Sequence, residues 1–173
     1  MSLQISEIDV ATLQENIETL ANILRANVLK GASVGYVLPF SQEEAEAFWS
    51  DLTPSMAPGQ RRILVAHWDK KLVGTVQLVQ ETRPNGVHRA EISKLLVHPE
   101  YHGKGIGRAL MLAAETLAIR QKRTLLVLDT AGNIAETLYL SLGYVVAGAI
   151  PQFAVAPDRS KIEATKYMYK LLA

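Results

Sequence analysis

Residues 95–108 read LLVHPEYHGKGIGR: an apolar run, then three alternating glycines, then the start of a helix-forming segment. Glycine has no Cβ, so backbone N–H groups in such a stretch can turn toward a ligand. A helix N-terminus adds partial positive charge and N–H groups without helical partners. Together with Lys104 and Arg108, the glycines predict a cradle for a phosphate or pyrophosphate. The alternative is a glycine-rich turn that binds nothing.

Two common phosphate motifs fit this stretch poorly. The loop Gly-x-x-x-x-Gly-Lys-Ser/Thr does not occur in the sequence. The dinucleotide pattern Gly-x-Gly-x-x-Gly starts at Gly103 and Gly105, but Arg108 stands at its last position. Asp129 imitates the ribose-binding acid of that motif, yet the segments before the loop do not form its first β-α-β unit. A dinucleotide site is therefore the weaker alternative.

The segments before the glycines predict an antiparallel meander. Apolar, β-branched runs at 62–68 and 71–80 flank Asp69-Lys70, and a third run covers 87–98 after a turn at 84–86. Farther upstream we expect a short strand at 3–9, a helix from residue 9 or 12 to about 29, and a helix from Ser41 to about Ser50. Ser41 and Glu44 have capping-box spacing. Pro54 and Pro58 predict a loop.

The pattern changes after the glycines. A helix over about 106–121, a strand at 124–129, a helix near 133–142 and strands at 143–150 and 162–171 are predicted. The whole favours one domain over 1–173 of mixed α/β (α+β) class. We expect a mixed, mostly antiparallel, twisted sheet of six to seven strands with helices on both faces.

Composition excludes several classes of protein. The 173 residues are 49% hydrophobic and 20% charged, with a net charge of +1 and no cysteine. A disulfide framework, a thiolate metal site and a cysteine nucleophile are therefore excluded. The sequence has no basic stripe, so nucleic-acid binding is not expected. Without a signal-peptide pattern or a membrane helix, we expect a cytoplasmic protein with no membrane partner. His98 and His102 lack a third ligand, so no metal is expected.

The segment 90–148 resembles the GCN5-related N-acetyltransferases, the GNAT superfamily. Residues 102–107, HGKGIG, are similar to the family's pyrophosphate loop, Gln/Arg-x-x-Gly-x-Gly/Ala, except for His102. Residues 138–144, LYLSLGY, are similar to its helix-to-strand signature. A looser likeness, carried by LVLDT at 126–130 and GAIP at 148–151, is to the tabtoxin-resistance acetyltransferases. The resemblance implies the GNAT fold with a splayed central strand pair and acetyl-CoA as the cosubstrate.

The resemblance also implies which residues hold acetyl-CoA. The strand residues 95–97 would pair with the pantetheine arm, and the loop would hold the pyrophosphate. The family often has a CoA-binding Asn at the position of Gly132, and Asn133 lies one residue after that position. Asn133 is a candidate for the same role; the alternative is that it caps the helix. The cofactor-binding candidates are Leu95, Leu96, Val97, His102, Gly103, Lys104, Gly105, Ile106, Gly107, Arg108 and Asn133.

Three residues are candidates for the chemistry. By resemblance Tyr139 lies beside the thioester sulfur; its alternative is a core tyrosine. Asp129 follows a buried strand and would orient or deprotonate the substrate ammonium, or else cap a turn. Glu91 stands where histone acetyltransferases of the family have their basic glutamate, or else it pairs with Lys94 or Arg89.

We therefore expect an N-acetyltransferase that uses acetyl-CoA and no metal. The acceptor would be the primary amine of a small molecule, with amino-acid-like compounds and lactams as candidates, and it would attack directly in a ternary complex because the chain has no cysteine. One alternative is acetylation of a protein N-terminus or lysine; another is a CoA-sensing module without turnover. The acceptor, the preferred acyl-CoA and the oligomeric state, with a homodimer as one candidate, are left open.

Overall fold

The computed structural model describes residues 2–172, which fold into seven strands and six α-helices. The strands are β1 (Leu3–Ile8), β2 (Arg61–Trp68), β3 (Lys71–Gln80), β4 (Arg89–Val97), β5 (Leu125–Thr130), β6 (Val145–Val155) and β7 (Ile162–Leu171). The helices are α1 (Val10–Glu15), α2 (Ile17–Leu29), α3 (Gln42–Ser50), α4 (Thr53–Met56), α5 (Ile106–Arg120) and α6 (Asn133–Ser141). None of these helices is long and apolar enough to cross a membrane.

All seven strands belong to one sheet with the order β1-β2-β3-β4-β5-β7-β6. The pair β4–β5 is parallel and the other neighbours are antiparallel. The predicted mixed, mostly antiparallel sheet is thereby confirmed. The predicted hairpin turn is also present, because Asp69 and Lys70 have φ values of 47° and 69°, as a tight hairpin turn requires.

Helices cover both faces of the sheet, as expected from the alternation of elements. On one face, α5 packs on β2–β4 through Leu110, Met111 and Ala114, which are fully buried. On the other face, α2 and α3 build a second core around Leu24 and Trp49. Ser41 begins α3 with the predicted capping box, since its hydroxyl and the Glu44 carboxylate each accept a backbone N–H.

Two predictions for the amino-terminal third are wrong. The single helix expected up to residue 29 is interrupted at Asn16, where φ is −117° and ψ is 11°. There the side chain of Asn16 donates to the Thr12 carbonyl at 2.8 Å, an alternative to the helical ladder that Asn offers readily. The loop expected at Pro54 begins as the short helix α4, because proline is well tolerated in a first helical turn.

The centre of the sheet opens between β4 and β5. Their pairing covers only residues 89–91 of β4 and 125–127 of β5, after which both strands continue unpaired with each other. A bulge lies in the part of β4 that is not paired with β5. There Lys94 has φ 49°, and the register with β3 shifts between Thr75 and Gln77. A bulge bends its strand, so β4 turns away from β5 and leaves a gap at the middle of the sheet.

Candidate active site

The loop between β4 and α5 presents backbone donors to open space. Gly103 and Gly105 have φ values of 75° and 77°, and a Cβ added to either would meet no atom within 4 Å. Within residues 2–172, the N–H groups of residues 103–108 donate no hydrogen bond. Consecutive free N–H groups at a helix start suit the oxygens of a pyrophosphate, so this loop fits the diphosphate of acetyl-CoA.

The end of this cradle is joined to α6. A Cβ at Gly107 would lie 3.4 Å from the Leu138 side chain, so this third glycine allows α5 and α6 to approach closely. The neighbouring Arg108 donates to the Ser141 hydroxyl at 2.6 Å. The close contact at Gly107 and the Arg108 side chain therefore fix α6 relative to the cradle, and the backbone N–H groups of both residues remain for a phosphate.

Lys104 and His102 direct their side chains toward the protein. The Lys104 ammonium lies 4.9 Å from the ring centre of Tyr101 and 5.4 Å from that of Trp68. The His102 Nε2 atom lies 2.8 Å from the Val97 carbonyl oxygen. Because a carbonyl only accepts, that nitrogen carries the proton. His102 thus holds the end of β4, and its direct contact with the cofactor stays a prediction.

Asn27 of α2 also holds the end of β4. Its side-chain amide donates to the same Val97 carbonyl at 3.1 Å and to Ile23 at 2.8 Å. Sequence reasoning missed this buried residue, although an Asn on the apolar face of α2 beside Leu24 was a visible signal. The part of β4 predicted to pair with the pantetheine arm, residues 95–97, therefore ends in a fixed position.

Asn133 does not cap α6. The N-cap residue is Gly132, and no side chain caps the first turn. The exposed side chain of Asn133 makes no hydrogen bond to residues 2–172. The capping interpretation is therefore wrong, and a role in binding the cofactor stays a prediction.

Tyr139 and Asp129 approach each other from two elements beside the gap. Tyr139 of α6 is 6% exposed and lies in the core under α5, while Asp129 lies near the end of β5. Burial and the negative charge of Asp129 raise the pKa of Tyr139 to about 12. The exposed Asp129 carboxylate accepts a hydrogen bond from the Thr165 hydroxyl at 2.9 Å. This arrangement keeps the phenol protonated.

Glu91 lies on the same face of the sheet as Asp129. Partial desolvation and the negative charge of Asp129 raise the pKa of Glu91, while Arg61 and Lys94 lower it in part. Its alternative pairing with Arg89 is wrong, because Arg89 pairs with Glu81 at 2.9 Å. No ion pair within 4.0 Å joins Glu91 to Lys94 in the described chain. A carboxylate with a raised pKa can accept a proton near neutral pH.

Between residues 2 and 172, no group of three or more His, Asp or Glu side chains is arranged to hold a metal ion.

The comparisons with known proteins agree with this geometry. Residues 59–146 match the family model described as an acetyltransferase (GNAT) domain. Three solved structures share the fold over nearly the whole chain. A GNAT-family acetyltransferase from Streptococcus pneumoniae is 22% identical, covers 99% of this chain and 100% of its own, and has a TM-score of 0.76. The GCN5-related N-acetyltransferase of Kribbella flavida is 25% identical, with 98% of each chain covered and a TM-score of 0.75.

The third structure, yncA from Salmonella typhimurium, was solved with its cofactor acetyl-CoA. It is 19% identical, with 100% of this chain and 95% of its own chain covered and a TM-score of 0.78. The family match spans half of the chain and includes the gap, the glycine cradle and Tyr139. The protein therefore belongs to the GNAT family, whose members are N-acetyltransferases that use acetyl-CoA.

Proposed function

We propose that this enzyme acetylates the primary amine of a small molecule by direct attack within a ternary complex, and that the whole chain is one catalytic domain. Support for a single domain comes from the sheet, in which strands from both ends of the chain share hydrogen bonds with the central strands. The observation that carries the proposed chemistry is that Asp129, which lies on β5 beside the gap, acts electrostatically on both Tyr139 and Glu91.

Acetyl-CoA supplies the acetyl group as a thioester. The backbone of residues 95–97 and the N–H groups of residues 103–108 would hold it, because both border the gap or the cradle. The chain contains no cysteine to form an acyl-enzyme through a thiol, which supports direct attack by the amine.

Tyr139 donates a hydrogen bond to the departing sulfur and keeps its proton. A thiol has a pKa of about 8.5, whereas the pKa of Tyr139 is raised to about 12. Full proton transfer from this phenol to a thiolate would therefore be uphill by about 5 kcal/mol. A neutral donor placed where negative charge develops stabilises the transition state without that cost.

Asp129 positions the acceptor and Glu91 accepts its proton. A lysine-like amine with a pKa of about 10.4 is mostly protonated at pH 7, and uncovering its lone pair costs about 4.6 kcal/mol. The exposed carboxylate of Asp129 suits the arriving ammonium. Glu91, whose pKa is raised, retains a proton more readily than an ordinary glutamate and so suits the role of base.

A second candidate function is acetylation of a protein N-terminus or lysine side chain. The sheet surface beside Asp129 favours it, because Tyr167 and Phe153 there are 41% and 46% exposed. Such an open surface has room for an extended chain.

Thiol release from acetyl-CoA tests the proposal with a panel of amines, amino acids, lactams, dipeptides and longer peptides. We expect turnover of a small amine, and intersecting double-reciprocal plots when both substrates are varied. Parallel plots would indicate an acyl-enzyme and contradict direct attack. Turnover of the longer peptides alone would favour the second candidate. Binding of acetyl-CoA without thiol release for any amine would indicate a CoA-sensing module.

A further inference from the structure

Four charged side chains share the face of the sheet that carries α2 and α3. Arg61 of β2 and Glu91 of β4 both lie opposite Val79 of β3, and therefore in one row across the sheet. Lys94 follows Glu91 along β4, and Asp129 lies on β5 beyond the gap. We call Arg61, Glu91, Lys94 and Asp129 the acceptor charge cluster. Its members are close enough that Glu91 and Asp129 each act on the pKa of Lys94.

Opposite charges in this cluster do not pair. No salt bridge within 4.0 Å joins any of its cations to any of its carboxylates in residues 2–172. Elsewhere on the protein, opposite charges that are close do pair, for example Lys166 with Glu136 at 2.6 Å. The sheet therefore holds two positive and two negative groups near one another but apart.

Lys94 is a cation that no carboxylate of residues 2–172 contacts within 4.0 Å. Its ammonium lies 5.5 Å from the ring centre of Phe48, a residue of α3, and makes no hydrogen bond within the described residues. Burial, and then the positive charge of Arg61, lower its pKa. A half-buried cation without an anionic partner is unfavourable for folding. The positive φ of 49° at this lysine adds backbone strain at the same residue.

Arg61 provides a second cation with neutral partners. Its guanidinium donates to the side-chain oxygens of Gln77 and Ser55. These contacts fix the planar group on the sheet without neutralising its charge. A carboxylate placed between Arg61 and Lys94 would give both cations an anion in direct contact.

We propose that Lys94 and Arg61 bind a carboxylate of the acceptor, so that the acceptor is an amine with an acid group beside it, as in a free amino acid. This inference rests on the proposed function, in which Asp129 and Glu91 receive the amine. The separated positive and negative groups of the cluster then match the two ends of one zwitterion. A peptide N-terminus fits less well, because its amine is followed by a neutral amide.

Bisubstrate adducts test the inference without knowledge of the natural acceptor. In the first adduct, the sulfur of CoA is joined through CH₂–CO to the nitrogen of glycine, and in the second to that of glycinamide. The two differ only in a carboxylate and a neutral amide of nearly equal size. We expect the wild-type enzyme to bind the glycine adduct 10- to 100-fold more tightly, the effect of one or two charged hydrogen bonds.

Variants at Lys94 locate the effect. Lys94→Met removes the charge and keeps the length of the side chain, so the preference for the glycine adduct should fall at least tenfold. Lys94→Arg should retain most of it. Lys71→Met, at an exposed position at the start of β3, is the matched control and should change neither dissociation constant. Circular dichroism confirms folding, and Arg61→Gln provides a second test if Lys94→Met does not fold.

The outcomes separate this inference from the proposed function. Equal and tight binding of both adducts would overturn the inference and leave the acetyl-CoA site intact. A preference that survives in Lys94→Met and Arg61→Gln would also overturn it. Failure of both adducts to bind more tightly than CoA alone would contradict an amine-binding site beside the cofactor, and with it the proposed function itself.

Discussion

The side-chain amide of Asn27 donates to the carbonyl oxygen of Val97 at 3.1 Å, which joins α2 to the last residue of β4. The second amide hydrogen goes to the Ile23 carbonyl at 2.8 Å, so both donors of this buried group are satisfied. Val97 immediately precedes the turn that leads to the glycine cradle. A residue 70 positions away in sequence therefore fixes the edge of the candidate cofactor site.

Asn27→Leu should weaken both the fold and the binding of acetyl-CoA. Leu has a similar size but removes two hydrogen bonds, worth about 0.5–1.5 kcal/mol each, while the Val97 carbonyl keeps its contact with His102. We expect a lower melting temperature and a several-fold higher KM for acetyl-CoA. Asn22→Leu, on the exposed side of the same helix, is the control. An unchanged KM in a folded Asn27→Leu enzyme would show that the contact is only structural.

Gly105→Leu should abolish stabilisation by acetyl-CoA. At 100 times its dissociation constant, a ligand adds about 2.7 kcal/mol to the unfolding free energy. Gly31→Leu is a matched control, since Gly31 has φ 87° and, like Gly105, no atom within 4 Å of an added Cβ. Both substitutions place a side chain in left-handed backbone, at about 1–2 kcal/mol each. Only Gly105→Leu should lose the ligand-induced rise in melting temperature; a rise that persists would place the cofactor elsewhere.

Tyr139→Phe should lower kcat about 100-fold while the KM for acetyl-CoA changes little, because the lost hydrogen bond acts on charge that develops during reaction. Tyr144→Phe is the control. The Tyr144 ring lies 5.8 Å from that of Tyr139, and its buried hydroxyl interacts with Glu115 of α5. We expect its kcat within a factor of two of wild type. If the kcat of Tyr139→Phe were also within a factor of two of wild type, with chemistry rate-limiting, Tyr139 would be a core residue only.

The pH dependence of kcat should separate the two carboxylates. As the pH falls through the raised pKa of Glu91, its carboxylate takes up a proton and loses the ability to accept another, so activity falls on the acid side. Glu91→Gln should remove this acidic limb and depress kcat. Asp129→Asn should mainly raise the KM of the acceptor, because an attraction to the ground-state ammonium is lost. The phenol of Tyr139, with its pKa raised to about 12, should add no basic limb across pH 6–9.

Near-normal kinetics of both variants over that pH range would contradict a role for either carboxylate in proton transfer. The acceptor would then arrive deprotonated or lose its proton to water.

The parts of the fold that depend on local sequence could be predicted. The turn at Asp69-Lys70 and the cap at Ser41 are present where their residue types indicated. The glycines at 103 and 105 adopt the positive φ that glycine takes most readily. These features depend on a few neighbouring residues, and their signals are correspondingly strong.

The parts that depend on distant contacts could not be predicted. The apolar periodicity continues through both α1 and α2, so periodicity alone predicts one helix and does not reveal the interruption at Asn16. The sequence indicates Lys94 only as a partner for Glu91. Its place beside Phe48 and Arg61 follows from strand register and the packing of α3, which no local pattern encodes. The charges around Glu91 are likewise a property of the assembled sheet.

The brief pairing of β4 with β5 has a consequence for motion. The sheet consists of one half with β1–β4 and another with β5–β7, and three residue pairs connect the two halves directly. Segments with few hydrogen bonds open at low free energy, so amide protons of β4 beyond residue 91 should exchange with solvent faster than those of β3. A ligand that bonds to this part of β4 would act as the missing neighbour strand. Cofactor binding would then slow amide exchange in both halves, and the enzyme would be stiffest when it is loaded for reaction.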